Sequence, residues 1–349
     1  MLKEIVYLTV LIGLLACHTD QRPITGKSAQ VVDSPIGMVC IQGGTYLQGG
    51  KSEQSKANEL PRHRVTVSPF HMDITEVTNA QFQKFVEETR YTTVAEQKLD
   101  WEVLSSQVPA GTPAPPDSLL QPGALVFKPT DGPVNLDRYD LWWKWTIGAD
   151  WQHPSGPDSD ISDRDNHPVV HIAHTDAVRY CQWLNKRLPT EAEWEWAANG
   201  GDDNNKYPWG SEPIAEANNK ANFWQGIFPY LNTRKDGYVS TAPVQTYPPN
   251  GYGLYDMGGN VWEWCADRYA SDYYNTINEQ QSLSNPQGPE YSRNLEDPYG
   301  QNAYVIKGGS FLCNDSYCSG YRVARRSGKD ADSGSDHTGF RCVQDVQPK

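Results

Sequence analysis

Residues 167–201 read HPVVHIAHTDAVRYCQWLNKRLPTEAEWEWAANGG. Ala177, Tyr180, Cys181 and Leu184 recur at helical spacing, which predicts a helix over 175–186 with those side chains facing inward. Thr190 and Glu193 stand as N-cap and N3 residues, the capping-box pattern, so a further helix starts at Thr190. It turns Trp194, Ala197 and Ala198 toward the core. Upstream, Phe82, Phe85 and Val86 form an apolar stripe that predicts a helix over 79–88. GMVCIQGGTYLQGG (37–50) alternates apolar residues with glycine turns and reads as a hairpin, and RHRVTVSPFHMDITEV (62–77) continues as strands. Residues 105–135 are rich in Pro and Gly, have no period, and are expected to form a long surface insertion. Beyond Asn199 the pattern is loops and short strands, with a second polar insertion near 270–300. No linker or internal repeat divides residues 35–345, which read as one α+β domain with little regular structure.

Composition supports this outline. The 349 residues include 29 Gly and 25 Pro, which favours many turns over a helical bundle. With 12 Trp, 19 Tyr and 8 Phe the chain is too aromatic to be disordered. The net charge of −13 excludes nucleic-acid binding through a basic surface.

The N-terminus reads as an address. Lys3 precedes an apolar run from Ile5 to Ala16, the length of a signal-peptide core and too short for a membrane span. Leu14-Leu15-Ala16-Cys17 resembles the bacterial lipobox. That resemblance implies removal of residues 1–16, a lipid on Cys17, and a tether over 17–34 that holds the protein at a membrane of the cell envelope. An exported protein meets an oxidising compartment, which bears on the other six cysteines.

Cys313 and Cys318 are spaced C-x4-C on a segment that begins Gly308-Gly309. Two readings stand on the residues alone. One is a structural disulfide. The other is a pair of thiolates for a soft, low-coordinate ion such as Cu(I), since no second C-x-x-C or His pair completes a zinc set.

The segments DAVRYCQW, RLPTEAEWEWA, YPWG (207–210), NGYGLYDMGGNVWEW (250–264), GGSFLCNDSYCSGYRVARRS (308–327) and GFRC (339–342), in this order, resemble the formylglycine-generating enzyme (sulfatase-modifying factor) family. WWKWTIGADWQHPSGPDS (142–159) and GGSFLCNDSYC separate the formylglycine generators from the wider superfamily. The resemblance implies a C-type-lectin-like α+β fold. It also implies oxidation of a cysteine in a C-x-P-x-R segment of an unfolded sulfatase to Cα-formylglycine, with O₂ as co-substrate, an external reductant, and Cu(I) on Cys313 and Cys318. By the same resemblance Ser310 belongs to an oxygen pocket, Trp151 and Tyr317 to a peptide groove, and Cys181 pairs with Cys342. It implies structural Ca²⁺ at Asp256, Gly259, Val261 and Glu263, and at Asn222, Phe223, Asp236 and Tyr238. The positions of a second family disulfide are here Ala198 and Val323, so both halves are absent together. Cys40 and Cys265 have no family precedent and read as a pair or as buried thiols. Two departures stand near the site: Asn314 where many members have His, and Arg325 in place of a small residue. The protein is expected to act as a monomer. The alternative function is a non-catalytic surface or motility lipoprotein on the same fold, and the Cys313/Cys318 pair argues against it.

Overall fold

A computed structural model describes residues 34–217, 219–278, 280–295 and 302–347. The expected signal segment, Cys17 and all of the tether except Ser34 lie outside them. The first half contains β1 (Met38–Ile41), β2 (Gly44–Gln48), β3 (His63–Val67), β4 (Phe70–Asp73), α1 (Asn79–Thr89), α2 (Trp101–Leu104), β5 (Gly123–Phe127) and β6 (Trp143–Ile147). There follow α3 (His174–Trp183), α4 (Glu191–Ala198), β7 (Gly226–Ile227), β8 (Leu231–Asn232), β9 (Trp262–Arg268) and β10 (Leu283–Ser284). The chain closes with β11 (Ala303–Lys307), β12 (Ser327–Asp330), β13 (Thr338–Gly339) and β14 (Val343–Asp345). No helix among the described residues is long and apolar enough to cross a membrane.

Local chemistry sets the helix ends. At α4 the Thr190 hydroxyl accepts the Glu193 N–H at 3.2 Å and the Glu193 carboxylate accepts the Thr190 N–H at 2.8 Å. Such a cap is worth about 1 kcal/mol. Thr78 and Gln81 cap α1 in the same reciprocal way. Helix α3 stops earlier than its apolar period suggests. Asn185 takes a left-handed φ of 53°, and the Lys186 N–H returns to the Cys181 carbonyl.

Residues 37–50 do not form a hairpin. β1 pairs antiparallel with β4, and β2 pairs antiparallel with β3, so the two strands belong to different sheets. β3 and β4 carry the buried apolar residues Val65, Val67, Phe70 and Met72, and these choose the partners over proximity in sequence. The 105–135 segment is likewise not only surface. It contains β5, which pairs with β6 from Gly123↔Ile147 to Phe127↔Trp143 and buries Ala124 and Val126.

The four-stranded sheet, in the order β12-β11-β9-β13, carries the site. Against it lies a core of Phe82 and Phe85 from α1, Tyr180 and Cys181 from α3, and Trp262, Trp264, Ile306 and Phe340. A second cluster holds Trp194, Ala197 and Ala198 of α4 against Phe70, Met72, Leu254, Val305 and Val343. Each fully buried large side chain contributes about 2–3 kcal/mol by leaving water. Ala198 and Val323 share this cluster.

Candidate active site

β11 delivers the chain to Gly308 and Gly309, both in the left-handed region at φ 89° and 74°. A Cβ on Gly309 would meet the Gly320 carbonyl carbon at 2.6 Å, and a Cβ on Gly320 would meet Cys313 Sγ at 2.6 Å. Two backbone strands therefore cross at 309 and 320, and residues 310–319 form a loop between them. Behind the turn, Lys307 and Glu195 form a fully buried ion pair at 2.9 Å that anchors the end of β11 to α4.

Within the loop Cys313 and Cys318 are joined as a disulfide. The pair expected as two thiolates is thus seen in its oxidised form, the other state open to a C-x4-C pair. Cys313 is buried, its N–H bonds the Ser310 carbonyl, and its Sγ accepts the Ser310 N–H at 3.4 Å. Asn314 is a clamp: its Nδ2 donates to the carbonyls of Trp224 and Gly226, while its Oδ1 accepts from the Ser316 N–H and hydroxyl. Its carbonyl accepts the N–H groups of Tyr317, Cys318 and Ser319. An amide that donates and accepts at once suits this task.

The sulfur pair opens on a cleft of about 350 Å³ lined among others by Trp143, Trp262, Ser310, Tyr317, Lys329 and His337. Tyr317, 36% exposed, stacks on Phe228 with centroids 4.6 Å apart and meets the edge of Trp142. Trp151 is not part of the cleft lining. It is 1% exposed and packs edge-to-face on Phe82, because the turn after β6 carries it inward to α1. Trp143 on β6 and Trp262 at the head of β9 are the tryptophans that line the cleft. The exposed Tyr139, Trp145 and Ile147 lie on or beside the same strand.

The motif reading missed His337 and Lys329. Ser310 Oγ lies 3.1 Å from His337 Nδ1, and the imidazole packs 4.7 Å from the Trp143 ring. Burial, then the Lys329 and His171 charges, hold the His337 pKa well below its ordinary value. Burial also lowers the Lys329 pKa to about 8, and its ammonium donates to Ser335 Oγ at 3.1 Å. Next to them Asp336 accepts the Phe127 N–H at 2.9 Å and ties the rim to β5. Arg325 lines the cleft and donates to the Arg326 carbonyl, with Glu59 at 3.8 Å. The only signal for His337 in the sequence is its place just before Gly-Phe-Arg-Cys.

Away from the cleft, Cys181 and Cys342 are buried and face each other with their sulfurs 2.6 Å apart. Cys40 and Cys265 are both free. At the first expected calcium set, Arg341 clasps both oxygens of Glu263 at 2.7 Å. Asp256 accepts the Gln245 N–H at 2.9 Å, and Glu76, absent from the expected set, accepts the Val261 N–H and the Asn260 amide. Three buried carboxylates thus gather around one guanidinium. Burial, then the Asp256 and Glu263 charges, raise the Glu76 pKa well above normal, and burial raises that of Asp256 to about 6. At the second set Asp236 accepts the N–H groups of Phe223 and Tyr238, and Asn222 donates to the Ser240 carbonyl and Asn260 Oδ1. That loop is closed by its own hydrogen bonds.

Comparison with known proteins agrees with this geometry. The sulfatase-modifying factor enzyme 1-like domain matches residues 25–346. The chain is 45% identical over 312 residues to the formylglycine-generating enzyme of Thermomonospora curvata, covering 88% of this chain and 93% of that one. It is 44% identical to the formylglycine-generating enzyme of Mycobacterium tuberculosis, covering 88% and 97%. Among solved structures, PvdO from Pseudomonas aeruginosa shares the fold at a TM-score of 0.58 and 21% identity, over 88% of this chain and 94% of that one. The match runs through both glycines of the crossing, the sulfur loop and the α3–α4 core, and the chain belongs to the formylglycine-generating enzyme (sulfatase-modifying factor) family.

Proposed function

We propose that this protein oxidises the cysteine of a C-x-P-x-R segment in unfolded sulfatase polypeptides to Cα-formylglycine. The observation that carries the reading is the juxtaposition of Cys313 and Cys318 at the floor of an aromatic-lined cleft. Once reduced, the pair offers two soft ligands side by side. Among the described residues no third His, Cys, Asp or Glu groups with the two sulfurs into a metal set, so the pair fits a two-coordinate Cu(I) better than zinc. Cu(I), when bound there, supplies with O₂ the redox chemistry needed to break an unactivated Cβ–H bond.

The chain's own residues do the rest. Trp143, Tyr317 and Phe228 give flat apolar walls for an extended peptide, and the cleft depth brings its cysteine to the sulfurs. Ser310 gives its backbone N–H to Cys313 Sγ and lines the same cleft. Asn314 keeps the loop in place, and with no titrating group at that position it takes no part in proton transfer.

Ca²⁺ is proposed at Asp256, with the Gly259 and Val261 carbonyls and the Glu263 side. With Arg341 already paired to Glu263, burial pushes Glu76 and Asp256 toward their neutral forms, and a hard dication at this place would favour their charged forms. The second set needs no ion to close its loop and is the weaker candidate. The N-terminal lipid on Cys17 would place the cleft outside the cytoplasm. The decisive experiment incubates the reduced protein with Cu(I), reductant, O₂ and a C-x-P-x-R peptide, with mass spectrometry and aminooxy trapping of the aldehyde. Absence of aldehyde from fully metallated protein would reject the reading.

A further inference from the structure

We propose that His337 is a positioning residue that fixes the direction of the Ser310 hydroxyl in the cleft that the sulfur pair lines. This rests on the reading of the cleft as the site where a peptide cysteine is oxidised. Ser310 is completely buried, and its Oγ already accepts the Leu312 N–H at 3.2 Å. A buried hydroxyl must also give its one proton to an acceptor. His337 Nδ1, at 3.1 Å, is that acceptor. With one lone pair on Leu312 and the proton on His337, Oγ has one position left. It meets the cleft as an acceptor, the polarity that suits the S–H of an incoming peptide thiol.

The imidazole is held still for this task. Its carbonyl accepts the Trp262 N–H, the next two residues pair with β9, and Trp143 covers the ring. Protonating it would set a second cation in a buried site facing Lys329, with His171 nearby. His337 therefore stays neutral and orients the hydroxyl rather than taking its proton. Asn fits the same role through its amide oxygen, whereas Leu does not.

Two experiments test the proposal. In the metal-free full-length protein, ¹⁵N spectra of labelled histidine, assigned through H337N, are expected to show Nδ1 unprotonated and Nε2 protonated. The Nδ1 resonance should move in S310A. A protonated Nδ1 would overturn the proposal without any assay of turnover. In the metallated protein, H337L is expected to lose about five- to tenfold in kcat with KM nearly unchanged, and H337N to recover most of that loss. S310A and S310A/H337L should agree within about twofold. A further loss on adding H337L to S310A, or no recovery in H337N, would overturn it. If H337L does not fold, H337N in the presence and absence of S310A and the spectra decide. Failure of the wild-type protein to make aldehyde would instead count against the functional reading, and the spectra would still report on the hydrogen bond.

Discussion

The two sides of the Gly308-Gly309 turn treat buried charge in opposite ways. Behind it, Lys307–Glu195, Arg341–Glu263, Arg326–Glu191 and Arg322–Glu59 meet at 2.6–2.9 Å, with almost no exposure on either partner. In front of it, Lys329 and His337 face the cleft with hydroxyl partners, Ser335 and Ser310. Burial lowers the pKa of both. A cation matched to a carboxylate fixes loops in place. A cation or imidazole kept without one costs stability, and at Lys329 and His337 that cost falls where a substrate would bind.

The largest expected effect lies in front. Cys313→Ser or Cys318→Ser should lower aldehyde formation about a thousandfold while the melting curve stays close to wild type. Near-normal turnover in either variant would remove the cleft from the mechanism. Behind the turn the expectation reverses. Arg341→Met leaves Glu263 unpaired beside Glu76 and Asp256 and should destabilise the fold by about 3–5 kcal/mol in urea titration. A loss below about 1 kcal/mol would mean that these pairs do not hold the loops, and the contrast between the two sides would collapse.

Chelation sharpens the comparison. Removing Ca²⁺ should cost about 2–3 kcal/mol if the ion is present at a hundredfold its dissociation constant, read as a lower Tm. Asp256→Asn should abolish that shift, whereas an unchanged melt after proven stripping would leave the carboxylate cluster to Arg341 alone. The smallest effect concerns Lys329. Its folded pKa of about 8 lies below the ordinary lysine value, so the unfolded chain holds more protons between about pH 8 and 10.5. Stability should therefore rise through that window, and Lys329→Met should flatten the rise. A fall in stability contributed by Lys329 over the same range would show that it has a carboxylate partner in the folded state.

The parts of this arrangement that were legible in sequence are local. Thr190 and Glu193 announce their helix because both capping bonds close within three residues. Cys313 and Cys318 announce a site because five residues suffice to bring them together. What escaped depends on partners far along the chain. β1 leaves β2 for β4, Trp151 turns to Phe82, Arg341 takes Glu263 across 78 residues, and His337 reaches Ser310 across 27. A single histidine in a polar turn has no period or spacing by which to be found, and the tertiary crossing alone gives it a neighbour.

That crossing has a consequence for chain entropy. Because the backbones at Gly309 and Gly320 already touch, the segment between them is a closed ring before any sulfur chemistry takes place. Cutting the 313–318 bond opens a small ring inside one that stays shut, so little configurational freedom is released. The two cysteines can pass between oxidised and reduced forms as a local event, with the surrounding walls held at one shape by contacts that do not depend on the bond.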